Sequence, residues 1–108
     1  MKFPVIHIRR LPAAGMAIFP FILVKHRAYK EDQVLINHEK IHLAQQLELM
    51  LLFFYIIYLV HYLINLLRYK NHDQAYMNIV FEREAFRMDK DLSYLKRRKL
   101  FAWTQFLG

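Results

Sequence analysis

The stretch from Gln33 to Leu67, QVLINHEKIHLAQQLELMLLFFYIIYLVHYLINLL, contains neither glycine nor proline and is built mostly from good helix formers. It reads as one long helix, or as two joined at a bend. Asp32, just before it, has the side chain of a helix N-cap. The second half, Leu49 to Leu67, carries only His61 and Asn65 as strongly polar residues, and its length approaches what spans a bilayer. A helix buried all round by partner helices, or by a second copy of the chain, has the same composition.

Working outward, Val5 to Arg10 alternates weakly and is rich in β-branched residues, which reads as a short strand. Leu11 to Gly15 holds Pro12 and Gly15, a turn signal. Ala17 to Lys25 is apolar and β-prone with Pro20 inside it. A proline cannot donate to a ladder, so this segment is expected at a sheet edge. Downstream, Arg68 to Gln74 is a polar break, and Ala75 to about Leu100 reads as a final helix. No repeat or low-complexity tract interrupts the chain. Its 108 residues fit a single domain, residues 1–108. The expected fold is α+β and mostly helical: a short N-terminal β-hairpin with an edge strand, then about three helices.

Composition narrows the chemistry. With 56% hydrophobic and 16% aromatic residues the chain is not disordered. The absence of cysteine excludes disulfides and thiolate ligands, so any metal must sit on His, Glu or Asp. The start of the chain has no apolar core of signal-peptide length. The expected location is cytoplasmic, or peripheral to the cytoplasmic face of a membrane. A formal charge of +7 calls for an anionic neighbour. The tail from Lys90 to Trp103 sets Lys96, Arg97, Arg98 and Lys99 beside Tyr94, Leu95, Leu100, Phe101 and Trp103. That mixture suits a lipid headgroup layer. No RNA-binding motif accompanies it, which makes nucleic acid the less favoured partner.

His38-Glu39-Lys40-Ile41-His42 carries the sharpest chemical signal. Histidines four apart on a helix stack one turn apart on one face, so both imidazoles can reach one ion. Glu39 lies about 100° round from His38 and can lean over an open coordination position. A metal such as Zn2+ lowers the pKa of bound water, and a neighbouring carboxylate takes its proton during attack on a carbonyl. Two surface histidines on an ordinary helix would share the spacing, but a motif one turn into a helix that follows an edge strand favours the metal.

A third ligand must come from elsewhere. The candidates are His61, His72, Asp73, Glu82, Glu84, Asp89 and Asp91. His61 lies about five turns beyond His42 and cannot reach the same ion unless the helix folds back. Phe81-Glu82-Arg83-Glu84-Ala85-Phe86 is the best source. Glu82 and Glu84 flank an apolar stripe of Phe81, Ala85, Met88 and Leu92, about 160° apart. They cannot both face the metal, and periodicity does not choose between them.

An edge strand, then HExxH on a helix, then Glu82-Arg83-Glu84-Ala85 on a later helix resembles the gluzincin clan of zinc metallopeptidases. The likeness is greatest to its small members and to the segment around the active site of its membrane-embedded members. It covers roughly Ala17 to Phe86. The resemblance implies zinc on His38, His42 and Glu82, with Glu39 as general base, and a peptide or protein substrate. It also implies that substrate adds as an antiparallel strand to the edge formed by Ala17 to Val24. One feature departs from the family: Phe86 stands where an Asp often orients a ligand histidine, so that partner is missing or supplied elsewhere.

Other residues are weighed beside these. Gln45, one turn beyond the histidine face, can hydrogen-bond a ligand. Glu48 would be costly if buried unpaired and is expected to meet an arginine of the second helix. Tyr69, His72 and Tyr76 are candidates for oxyanion stabilisation. If Leu49 to Leu67 crossed a bilayer once, about 30 Å of hydrocarbon would part the histidines from Glu82. A single span and a three-ligand site therefore exclude each other. The apolar helix is expected to lie in a membrane interface, to pack in a homo-oligomer, or to bend back into a helical core. The alternative to an enzyme is a non-catalytic, membrane-associated or oligomeric helical protein with a structural metal site.

Overall fold

The computed structural model describes residues 3–107. Its fold is mostly helical α+β, with a three-stranded sheet at the N-terminal end. The glycine- and proline-free stretch forms two helices, α1 (Gln33–Glu48) and α2 (Leu52–Tyr69). Asp32 caps α1, its side chain accepting from the Leu35 N–H at 3.1 Å. Between the helices Met50 and Leu51 take left-handed φ values of 54° and 60°. The Leu51 N–H reaches back to the Gln46 carbonyl at 2.8 Å, closing the helix end in the way a glycine usually does. Two non-glycine residues in this region cost of order 1–3 kcal/mol each. The packing of α2 on the rest of the chain offsets that strain.

The N-terminal half differs from expectation. The first strand is shorter, β1 (Val5–His7). Ala17 to Lys25 is not one edge strand: Phe19 and Pro20 form a tight turn that divides it into β2 (Gly15–Ile18) and β3 (Phe21–Val24). The missing N–H of Pro20 costs nothing in a turn. The strand order is β1-β3-β2, with β1 parallel and β2 antiparallel to β3. β3 is therefore the central strand, and Ile22 and Val24 on it are fully buried.

The expected final helix is broken into α3 (His72–Met77), α4 (Val80–Met88) and α5 (Tyr94–Arg97), so five α-helices occur among the described residues rather than about three. Lys70, left-handed at φ 55°, ends α2, and the Asn71 side chain caps α3 through the Gln74 N–H. Ile79 is extended and fully buried, and the freed Val80 N–H is taken by His61 Nδ1 of α2 at 3.0 Å. Two 3-10 turns, Arg27–Glu31 and Ala102–Phe106, complete the chain.

α1 is the hub. Leu43 packs on Ile22 and Val24 of the sheet, and Ile41 packs on Ala85 of α4 and Tyr94 of α5. A third cluster joins Phe54 of α2 to Ile79, Val80 and Phe81, with Phe54 and Phe81 stacked at 4.6 Å. Full burial of a side chain such as Phe81 stabilises by roughly 1.5–3 kcal/mol. Between its two apolar contacts α1 also buries Asn37, His38, Glu39, His42, Gln45 and Gln46. Buried polar groups at that density are tolerable only when partnered.

α2 is the exception to this packing. It has the length and composition of a membrane-crossing helix, yet only Phe54 and Asn65 on it are buried. Of the three placements expected for it, bending back within a helical core is not what occurs: α2 packs along α3 and touches α4. It does not become the core of a helical bundle.

Candidate metal centre

One turn of α1 sets His38 and His42 with ring centroids 4.9 Å apart and planes nearly perpendicular. The Ile41–Ala85 contact holds α4 against α1 and brings Glu82 opposite them. The three inner atoms converge: His38 Nε2 to His42 Nε2 is 3.2 Å, and Glu82 Oε1 lies 3.1 Å from the first and 3.0 Å from the second. All three side chains are buried.

The outer atoms are held as well. His38 Nδ1 lies 3.0 Å from Asp89 Oδ2, and His42 Nδ1 lies 2.8 Å from Gln45 Oε1. Both partners are oxygen acceptors, so each imidazole, when neutral, carries its proton on Nδ1 and turns the Nε2 lone pair inward. The Tyr58 hydroxyl donates to Glu82 Oε2 at 2.6 Å. Three inward lone pairs within 3.2 Å repel one another unless a cation lies among them. Two imidazole nitrogens and a carboxylate oxygen this close are a donor set that would suit a small divalent cation. The group is therefore one that can hold a metal ion.

Titration behaviour agrees with this arrangement. Burial alone would lower His42, but the Glu82 carboxylate outweighs it and lifts the ring to about 9. Burial pushes Glu82 up, yet the two histidines overcome it and hold the carboxyl well below its usual range. The cluster thus attracts a cation of its own, a proton unless a metal displaces it. Glu39 behaves differently. Burial raises its pKa and the histidines only partly counter this. Among the described residues no donor holds its carboxylate. Burial and the Glu82 charge also raise the tyrosines Tyr58 and Tyr76, which stay protonated donors.

Glu39, His42 and Glu82 open onto a cleft of about 530 Å³ between β2 and α2, whose walls include Gly15, Tyr58 and Tyr76. Gly15 lets Glu39 approach the strand: a Cβ there would meet Glu39 Oε2 at 3.2 Å. No family model, curated protein or solved structure matches the chain. What this site can do therefore rests on its own geometry, which offers three donors and an open side facing a carboxylate.

The free sheet edge is shorter than Ala17 to Val24. On β3, Ile22 and Val24 bond toward β1, and Lys25 donates to Ala14, so Phe21 and Leu23 bond toward β2. Gly15 and Ala17 then turn their backbone groups outward. The Gln46 side chain already bridges the Ala17 carbonyl and the Phe19 N–H, at 2.7 and 2.9 Å. The outward groups left are those of Gly15 and the Ala17 N–H. Of the two strands into which Ala17 to Lys25 divides, only β2 lies at an edge, since β3 is central.

The two glutamates point different ways. Glu82 faces the histidines. Glu84, fully buried, binds Arg98, the Tyr94 hydroxyl at 2.6 Å and the Gln45 amide at 2.8 Å. Gln45 thus links His42 to Glu84, and Arg98 continues to Glu48 at 3.0 Å. The partner of Glu48 is this C-terminal arginine, not one on α2. Of the other candidate ligands, His61 binds Val80, His72 pairs with Tyr62, and Asp91 pairs with Arg97. None joins the cluster. Tyr76 lines the cleft, while Tyr69 and His72 do not.

Sequence reasoning missed Tyr58, and it weighed Asp89 only as a ligand. A signal for Asp89 was present: it lies seven residues after Glu82, two helical turns, and so on the same face. Phe86, where an acid was expected, instead packs its ring against His38 at 4.5 Å. Asp89→Ala is expected to weaken metal binding about 10–100-fold, because His38 loses the partner that sets its tautomer and orientation. Competition against a chromogenic chelator measures this, and unchanged affinity would remove Asp89 from the site.

Proposed function

We propose that the chain is a zinc-dependent metallopeptidase of gluzincin type, with His38, His42 and Glu82 as ligands and Glu39 as general base. The observation that carries the reading is the convergence of His38 Nε2, His42 Nε2 and Glu82 Oε1 within 3.2 Å on the wall of a cleft that also holds Glu39. Two imidazoles and one carboxylate with an open position are a donor set typical of catalytic zinc, and such a metal supplies an acidified water. This chain's own groups would do the rest. Glu39, raised by burial and unheld by any described donor, is suited to take a proton and return it to the leaving amine. Tyr76, a protonated hydroxyl lining the cleft beside Glu82, would be the donor to charge on a carbonyl oxygen. The outward backbone groups of Gly15 and the Ala17 N–H would align an extended peptide by backbone bonds. Asp89, Gln45 and Tyr58 hold the ligands in position.

The test is metal content followed by hydrolysis. Protein purified without added metal should carry about one zinc per chain, the stoichiometry of a single site. It should cleave a mixed fluorogenic peptide library, lose that activity to a chelator and regain it with zinc. Native protein that takes up no metal would end the reading and leave a non-catalytic helical protein.

A further inference from the structure

α2 presents one uninterrupted apolar face to solvent. It runs from Leu52 through Ile56, Leu59 and Leu63 to Leu67, each 48–80% exposed. At about 100° per residue these positions share one side of the helix, opposite Phe54 and Asn65. The face extends beyond α2, since Trp103 and Leu107 lie beside Ile56 and Val60. At its other border Tyr55 donates to the Ala17 carbonyl, and the exposed Ile18 of β2 lines the same cleft as Tyr55. An apolar face that runs the length of an 18-residue helix is uncommon on a soluble monomer and marks an interaction surface.

Charge decides what fits this face. Five of the nine acidic residues, Glu39, Glu48, Glu82, Glu84 and Asp89, are turned inward to the metal cluster and the Arg98 network. Among the described residues eleven lysines and arginines are exposed, against three acidic residues, Glu31, Asp32 and Asp73. Arg68 and Lys70 stand exposed at one end of α2, and Lys96 and Lys99 beside the exposed Leu100 and Phe101. The surface is thus more basic than the formal charge of +7 suggests. A second copy would bring the same positive charge to the contact. It would also meet a row of purely aliphatic side chains, Leu52, Ile56, Leu59, Leu63 and Leu67, whereas protein interfaces carry about one hydrogen bond per 100–200 Å². An anionic bilayer offers both the apolar layer and the opposite charge. Both ends of α2 return to one packed body, so the helix would lie along the surface rather than cross it.

We propose that the exposed face of α2, with its basic flanks, docks this protein on the surface of an anionic lipid bilayer. The docking is independent of catalysis, so Glu39→Gln should dock like the unchanged chain. Trp103 is the only tryptophan and sits at the edge of the face. The test floats the full chain with phosphatidylcholine vesicles made with and without phosphatidylglycerol, and reads Trp103 quenching by brominated acyl chains. The expected result is flotation with the anionic vesicles, quenching of Trp103, and weakening in high salt. Leu59→Glu with Leu63→Glu, both on exposed positions, should lower vesicle binding by at least about ten-fold while metal content is kept. A chain that ignores both vesicle types and shows no quenching overturns the proposal. So does a lipid-free dimer that the double variant converts to a monomer, which would make a second copy the occupant. The quenching measurement needs no variant and stands even if the double variant folds poorly.

Discussion

Glu39→Gln is expected to leave zinc bound and to lower peptide hydrolysis by roughly 10²–10⁴-fold. The substitution keeps the size of the side chain and removes only its capacity to accept a proton. Glu39 is not one of the three converging donors, so the ligand set is untouched. Its approach to Gly15 is also kept, because an amide occupies nearly the same space as the carboxyl. Metal analysis and fluorogenic peptide cleavage on the same preparation check both halves. Full activity in the variant would exclude Glu39 as the base. Loss of zinc along with activity would mean that Glu39 belongs to the ligand set.

The second large effect separates the two neighbouring glutamates. Glu82→Ala removes the only carboxylate from the three-donor group and leaves two histidines, which bind zinc poorly. Zinc should be lost, and added zinc should no longer raise the melting temperature as it does for the unchanged chain. Glu84→Ala should keep the zinc but destabilise by roughly 3–5 kcal/mol. Its carboxylate is fully buried against Arg98, so truncation strands part of a buried guanidinium together with the Tyr94 hydroxyl and the Gln45 amide. In a domain of this size that corresponds to a fall in melting temperature of well over about 10 °C. Glu84→Gln, which keeps several of the hydrogen bonds, serves as its milder companion. Metal content and melting curves suffice. Zinc lost from the Glu84 variants but retained by Glu82→Ala would invert the assignment of the ligand.

Legibility followed the distance over which each relation acts. The mostly helical α+β class was readable because helix formers without breakers run from Gln33 to Leu67 and β-branched residues cluster before Val24. The pairing of His38 with His42 was readable because a spacing of four needs only one turn of helix. Asp32 as the N-cap was equally local. A bend was one of the two readings of this stretch, but its place was not legible: Met50 and Leu51 are ordinary apolar residues held at positive φ by where α2 must pack. The split of Ala17 to Lys25 into two strands rested on Pro20, which fits an edge or a turn alike until its neighbours are placed.

The sequence by itself determined the donor types, the face on which two of them meet, and the carboxylate beside them, since these follow from the repeat of one helix and the absence of cysteine. Tertiary structure decided everything that joins α1 to the later helices. It turned Glu82 rather than Glu84 to the histidines, gave Asp89 and Tyr58 to the ligands, paired Glu48 with Arg98, and left one side of α2 uncovered. Glu82 lies 40 residues from His42. Over that separation no spacing rule applies, and the rotation of α4 is set by the burial of Phe81 and Ala85 against their neighbours. Local periodicity can name the side chains on a face, but only the packing of one face on another decides which of them meet.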